Sequence, residues 1–201
     1  MAIATPESYA DMLDRAKAGK YAIPAINVTS SQTLSAALKG FADAESDGIV
    51  QISNGGAAYW SGSSRLDRVA GSLAFAGYAR AVGDLYPGIV GLHTDHCPKK
   101  FLDCWIHPLL EIEAERVKRG ELPVFQSHMW DGSAESLDDN IEIAVDMLKR
   151  SRAAHTVLEI EIGAVGGEED GIKGEENASL YTTADDAYRA IEALGLGENG
   201  R

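Results

Sequence analysis

Five short apolar runs recur along this chain with helix-like segments between them: 22–28, 49–53, 89–95, 124–130 and 156–162. Each run reads as a strand. Thr5 is a good N-cap with Pro6 at the first helical position; Tyr9, Met12, Leu13 and Ala16 follow at helical spacing, and Gly19 can end that helix. Ser30-Ser31 precede Leu34, Ala37, Leu38 and Phe41 on one helical face, and further helices are expected over 66–81, 101–119 and 137–152. Thr183 caps a last helix through Leu194, while Gly55-Gly56 with 61–64, and a long stretch over 163–180, are expected as loops.

Strand and helix alternating at this spacing give parallel βαβ units with right-handed crossovers. An open doubly wound sheet and part of a (β/α)8 barrel both fit that order. The fifth strand favours the barrel. There Glu159 and Glu161 share one face while Leu158, Ile160 and Ile162 share the other. Helices must pack on the apolar face, so the carboxylates turn toward a barrel interior or its mouth. The expected class is therefore α/β, a TIM barrel truncated to about five βα units, with residues 1–201 as one incomplete barrel domain. A whole barrel takes about 250 residues, and this chain stops at Arg201, where a sixth strand should begin.

Bulk properties narrow the partners. Of 201 residues 45% are hydrophobic, enough for a sizeable core. A net charge of −13 argues against nucleic acid or an anionic membrane as partner, and an anionic ligand would need a locally positive site. Two cysteines, Cys97 and Cys104, are too few for a disulfide framework and point to a reduced cytoplasm. Neither a signal peptide nor a membrane span is expected.

The chemistry gathers where strands end. The third run closes in His93-Thr94-Asp95-His96-Cys97-Pro98, the fourth in His128-Met129-Trp130-Asp131, and the fifth carries Glu161. Parallel α/β proteins place reactive groups at the C-terminal ends of strands. His96 is a nitrogen donor suited to Zn²⁺, and Asp95 beside it is an acid/base group or supports the ligand. Neighbours in a regular strand face opposite ways, so the backbone must turn for both to reach one site. His93 and His128 read as packed, hydrogen-bonded barrel residues, and His107 and His155 as surface groups near helix ends. Asp131 is either a turn residue or a metal ligand. Glu161, inside an apolar strand without Lys or Arg in any of the five runs, calls for a metal ion as partner. Asn27 ends the first strand and could hydrogen-bond a sugar hydroxyl, and the small residues of Ser53-Asn54-Gly55-Gly56 let backbone N–H groups approach an anion; either could instead be ordinary loop chemistry. The glycine-flanked acidic loop 166–171 can carry a base over the site after substrate binds.

Together these segments resemble class II fructose-bisphosphate aldolase: Pro24-Ala25-Ile26-Asn27, Ser53-Asn54-Gly55-Gly56-Ala57, the run from His93 to Lys99, Ser127-His128-Met129 with Asp131, Leu158 to Gly163, and Gly166-Gly167-Glu168-Glu169-Asp170-Gly171. The similarity covers essentially the whole chain. It implies a zinc-dependent TIM barrel that cleaves fructose 1,6-bisphosphate to dihydroxyacetone phosphate and glyceraldehyde 3-phosphate. By matching motif, His96 resembles a ligand of the catalytic Zn²⁺, and Asp131 and Glu161 ligands of a second or alternative zinc position. Asp95 resembles the group exchanging a proton with the C4 hydroxyl, Glu169 the loop base that takes a proton from dihydroxyacetone phosphate, and Ser53 and Asn27 substrate contacts. The form of the acidic loop and first strand implies a homodimer for the complete protein, with a phosphorylated sugar as its small-molecule partner. The family's remaining zinc histidines and phosphate loop come later in its sequence, so this chain is expected to be inactive alone. A tagatose-bisphosphate aldolase and a non-catalytic fragment that binds a metal or a partner are the alternatives.

Overall fold

Side-chain caps and glycine contacts set the elements of this chain, and the computed structural model describes residues 3–163, 167–169, 172–174 and 182–196. Helix α1 (Pro6–Gly19) begins at Thr5, whose hydroxyl accepts the Ser8 amide at 3.2 Å while the Ser8 side chain reaches back to Thr5. Strand β1 is Ala25–Asn27, shorter than the apolar run suggests. Helix α2 (Ser31–Asp43) starts from a reciprocal Ser30–Thr33 cap and leads to β2 (Gly48–Ser53). Gly55-Gly56, expected as loop, lie in the short helix α3 (Asn54–Trp60), because the Ser53 hydroxyl accepts the Gly56 amide and caps it. Helix α4 (Arg68–Gly83) follows from an Asp67 cap.

Strand β3 (Val90–Pro98) runs past its expected end. The helix expected from residue 101 begins as a 3₁₀ turn (Lys99–Phe101) and a π-turn (Leu102–Ile106) before becoming α5 (His107–Lys118). Pro108, which has no N–H for the carbonyl one turn back, sits where the ladder changes register. Then come β4 (Ser127–Asp131), α6 (Leu137–Ala154) and β5 (Val157–Glu161). The stretch expected as a long loop contains an antiparallel pair, β6 (Gly167–Glu169) and β7 (Ile172–Gly174), ahead of α7 (Ala184–Leu194), which Thr183 caps.

The five main strands lie in the order β1-β2-β3-β4-β5, all parallel, each next to its neighbour in sequence. That is the topology of a segment of a (β/α)8 barrel; a doubly wound sheet would reverse its strand order. One face packs on the helices: Val50, Ile52, Val90, Leu92 and Trp130 share a core with Leu38, Phe75, Leu109 and Met147. On the other face α1 covers the starts of the strands, with Tyr9 and Met12 against Ile49, Ile89 and Val157. The Tyr9 hydroxyl meets Ser127 Oγ at 2.9 Å, and Gly91 leaves room for the Tyr9 ring, which a Cβ there would approach to 2.5 Å. No helix among the described residues is long and apolar enough to cross a membrane.

Helices α3 and α4 touch through Gly71, where an added Cβ would lie 1.8 Å from the Ala57 carbonyl oxygen; at Gly77, on the same helix, nothing lies within 4 Å. Gly71→Ala should therefore destabilise the fold by about 1–3 kcal/mol through overpacking. Gly77→Ala should stabilise it by roughly 0.5–1 kcal/mol, because alanine is the better helix residue. Urea unfolding of the two variants checks this; equal effects would contradict the α3–α4 contact.

Candidate metal and acid/base site

The strand ends are aligned by register. Asn27 pairs with Gln51, Ser53 with Asp95, Pro98 with Asp131, and Asp131 with Glu161. Between β3 and β4 the pairing changes: Thr94 faces His128, but Cys97 faces Trp130. Three steps on β3 match two on β4, so β3 carries a bulge at Asp95-His96. His96 has φ 41°, in the left-handed region. This is how adjacent residues reach one site. In a regular strand His96 would turn into the helix layer; the extra residue and the left-handed turn re-aim it toward the mouth of the sheet.

There His96 Nδ1 lies 3.3 Å from Glu161 Oε2 and 3.6 Å from Asp131 Oδ2, and Nε2 lies 3.8 Å from Asp95 Oδ1. One ligand atom each from His96, Asp131 and Glu161 fall within 4.8 Å of one another. The side chains of His96 and Asp131 are 23% and 13% exposed, sheltered yet open to a small ion or substrate. Interaction with Asp131, with the charges of Asp95 and Glu161, holds the imidazole up to about 9 against the burial that would lower it. Burial disfavours the Asp131 carboxylate, but His96 and Ser133 outweigh it and bring its pKa below the ordinary value. An imidazole and two carboxylates are a donor set that Zn²⁺ accepts.

The other expected residues are placed as follows. Asn27 Nδ2 donates to Asp95 Oδ2 at 2.7 Å, so Asn27 orients the acid across two strands. Ser53 stands beside Asp95 in register and caps α3. Glu169 closes β6, and its side chain lies outside the described residues, as do positions 170 and 171. His93 is packed, as expected: Nδ1 contacts Ser127 Oγ at 2.8 Å, and burial, with repulsion from His128 and His96, lowers its pKa to about 3. His128 is also packed, between Thr94 and Glu113. His155 is exposed as expected, whereas His107 is half-buried and meets Asp103 at 3.0 Å.

Two supporting residues escape the sequence reading. Ser133 donates to Asp131 Oδ1 from its hydroxyl at 2.6 Å and its amide at 3.1 Å. Asp131-Gly132-Ser133 has the spacing of an Asx-turn, which could have signalled this. Buried Asn140 donates to the Glu161 carbonyl at 2.7 Å and accepts from Trp130 Nε1 at 2.7 Å, tying the ends of β4 and β5 to α6. Nothing local in the sequence marks that role.

A raised histidine pKa has a defined consequence. Protonated His96 contributes its full stabilisation below its ordinary value of 6.5, and the contribution is lost as pH rises through about 9. In metal-free chain, unfolding stability should fall across this window, and His96→Gln should flatten that limb. Urea titrations at several pH values check it; an unchanged slope in the variant would contradict the placement of His96 among three carboxylates.

Comparison with known proteins shows the family to which the chain belongs. The class-II fructose-bisphosphate aldolase family model matches residues 7–197. A fructose-bisphosphate aldolase of Streptomyces coelicolor is 63% identical over 201 residues, covering 100% of this chain and 59% of the relative. One of Corynebacterium glutamicum is 56% identical over the same 201 residues, 58% of its own length. Among solved structures, the fructose-bisphosphate aldolase of Campylobacter jejuni matches with a TM-score of 0.83 at 35% identity, covering 96% of this chain and 55% of that one. The chain thus spans a little under three-fifths of the length of these relatives. With parallel strands ending in Asp95, His96, Asp131 and Glu161, and a family match over nearly all its residues, the chain belongs to the class-II fructose-bisphosphate aldolase family.

Proposed function

We propose that this chain contributes the N-terminal half of the active site of a zinc-dependent aldolase, one that cleaves fructose 1,6-bisphosphate to dihydroxyacetone phosphate and glyceraldehyde 3-phosphate and catalyses the reverse condensation. The observation that carries this reading is the convergence of His96, Asp131 and Glu161 within 4.8 Å beside an oriented Asp95. His96, Asp131 and Glu161 would hold Zn²⁺, which supplies Lewis-acid stabilisation of the negative charge that develops on the ketose oxygens.

The acid/base work falls to this chain's own carboxylates. Asp95 Oδ2 is taken by Asn27, and the rest of the carboxylate faces the site. In cleavage Asp95 accepts the proton of the C4 hydroxyl. The C3–C4 electron pair then passes to C3 as the C4 aldehyde forms, leaving the enediolate of dihydroxyacetone phosphate. Glu169, carried on the β6–β7 hairpin, returns a proton to C3; in condensation it removes that proton. Ser53 and Asn27 contact the substrate, and the lack of a lysine in the five main strands counts against a Schiff-base route on the part of the barrel this chain supplies. In the homodimer we propose for the complete protein, the same roles hold in each subunit.

The two acids should separate experimentally, in a polypeptide of the relatives' full length. Asp95→Asn should lower fructose-bisphosphate cleavage by about 100-fold or more while sparing proton exchange on dihydroxyacetone phosphate, and Glu169→Ala should depress the exchange. Tritium or deuterium exchange measured beside the cleavage rate distinguishes them. Equal loss of both steps in each variant would contradict the division of labour.

A further inference from the structure

One buried amide reaches both acid-bearing strand ends from the helix side of the sheet. Asn140, in the first turn of α6, is 2% exposed. Its Oδ1 accepts the Trp130 indole N–H at 2.7 Å, and its Nδ2 donates to the Glu161 carbonyl at 2.7 Å. An indole N–H only donates and a peptide carbonyl only accepts, so these two partners fix which way round the amide lies. Gly132 is packed on the same group: a Cβ there would collide with Asn140 Cγ. Trp130 and Gly132 are the residues on either side of Asp131, and Glu161 is the last residue of β5, in register with Asp131. A single side chain therefore touches the chain before and after one acid and the backbone of the other.

We propose that Asn140, seated against Gly132, is a positioning residue that sets the gap between Asp131 and Glu161 and so decides how large an ion the pair accepts. The ladder of β4 on β5 ends at Asp131 opposite Glu161, and at that point the Asn140 amide ties one strand to the other. The Trp130 side chain is 0% exposed, so spreading the strand ends would strand a donor or an acceptor in a dry layer, which is costly. Closing them would drive the amide into the backbone at Gly132. The gap is thus bounded on both sides. Sites whose ligands are held at a fixed spacing discriminate between cations by size, and sites whose ligands can spread do so less.

The positioning claim stands on geometry; its consequence for an ion rests on the function proposed above. The test uses Asn140→Leu, which keeps the shape and loses both hydrogen bonds, and Gly132→Ala, which displaces the amide but leaves it intact. Trp130→Phe removes one hydrogen bond, keeps a ring in the core, and serves as the mild variant should the others fail to fold. Met147→Ala, a buried change further along α6, controls for general destabilisation. NMR of the metal-free protein reads proton contacts between the Glu161 side chain and the His96 ring, and titrations read Zn²⁺ and the larger Cd²⁺. In the first three variants the contacts should weaken, Zn²⁺ affinity should fall about tenfold, and the ratio of Zn²⁺ to Cd²⁺ affinity should fall with it. Met147→Ala should leave the contacts and that ratio as they are. If the three variants lose thermal stability but keep the contacts of the parent, the positioning role is overturned. An equal fall for both ions overturns the claim on ion size. If the contacts weaken while both affinities hold, the positioning role stands and Asp131 and Glu161 are not the ligands.

Discussion

One extra residue in β3 is the constraint on which the site depends. Thr94 still pairs with His128, but two positions on β4 later it is Cys97 that meets Trp130, and His96 in between takes φ 41°. Without that bulge Asp95 and His96 would face opposite layers, one toward the substrate side and one into the helices. A left-handed conformation costs a non-glycine residue about 1–2 kcal/mol. Here it places an imidazole within 4 Å of three carboxylates, whose charges favour its protonated form and offset that cost. The same carboxylates would otherwise repel one another. An arrangement stable when His96 carries a proton is therefore also one in which a cation can take the proton's place.

The rest of the fold keeps this mouth in shape from below and behind. Behind it, apolar residues of β2, β3 and β4 lock into α2, α4, α5 and α6. Below it, α1 covers the strand starts, and a polar line from Tyr9 through Ser127 to His93 runs up the inner face. Burial raises the Tyr9 phenol to about 12, and lowers His93 to about 3, so both remain uncharged at neutral pH. Glu159 lies beside His93 on this face, and at the mouth above it Asn27, Ser133 and Asn140 each fix one acid or the backbone beside it.

Much of this was legible in the chain because strand ends and helix starts leave local marks. Thr5, Ser30 and Thr183 cap the helices they were expected to cap, and the alternation in β5 assigned Glu159 and Glu161 to one face. The strand-end rule collects Asp95, His96, Asp131 and Glu161 from the sequence. What escaped depends on contacts remote in sequence. A one-residue bulge leaves no pattern, since His93 to Pro98 reads equally well as a strand followed by a turn. The helix α3 was hidden by two glycines, weak helix formers whose place is set by the Ser53 cap and, through Gly71, by contact with α4. Glu113 sits between Glu111 and Glu115 in an acidic helix and looks like one more solvated charge; its partner lies 15 residues away on β4.

The bulge brings His96, Asp131 and Glu161 together, and we propose that the three hold a metal ion. The most direct test is an anomalous difference map at the zinc edge, from crystals of the protein grown with Zn²⁺. A peak bounded by His96 nitrogen and by carboxylate oxygens of Asp131 or Glu161, with His96 still left-handed, is the predicted result. A peak at another group, such as Asp103 with His107, together with an unoccupied space among these three side chains, would contradict it.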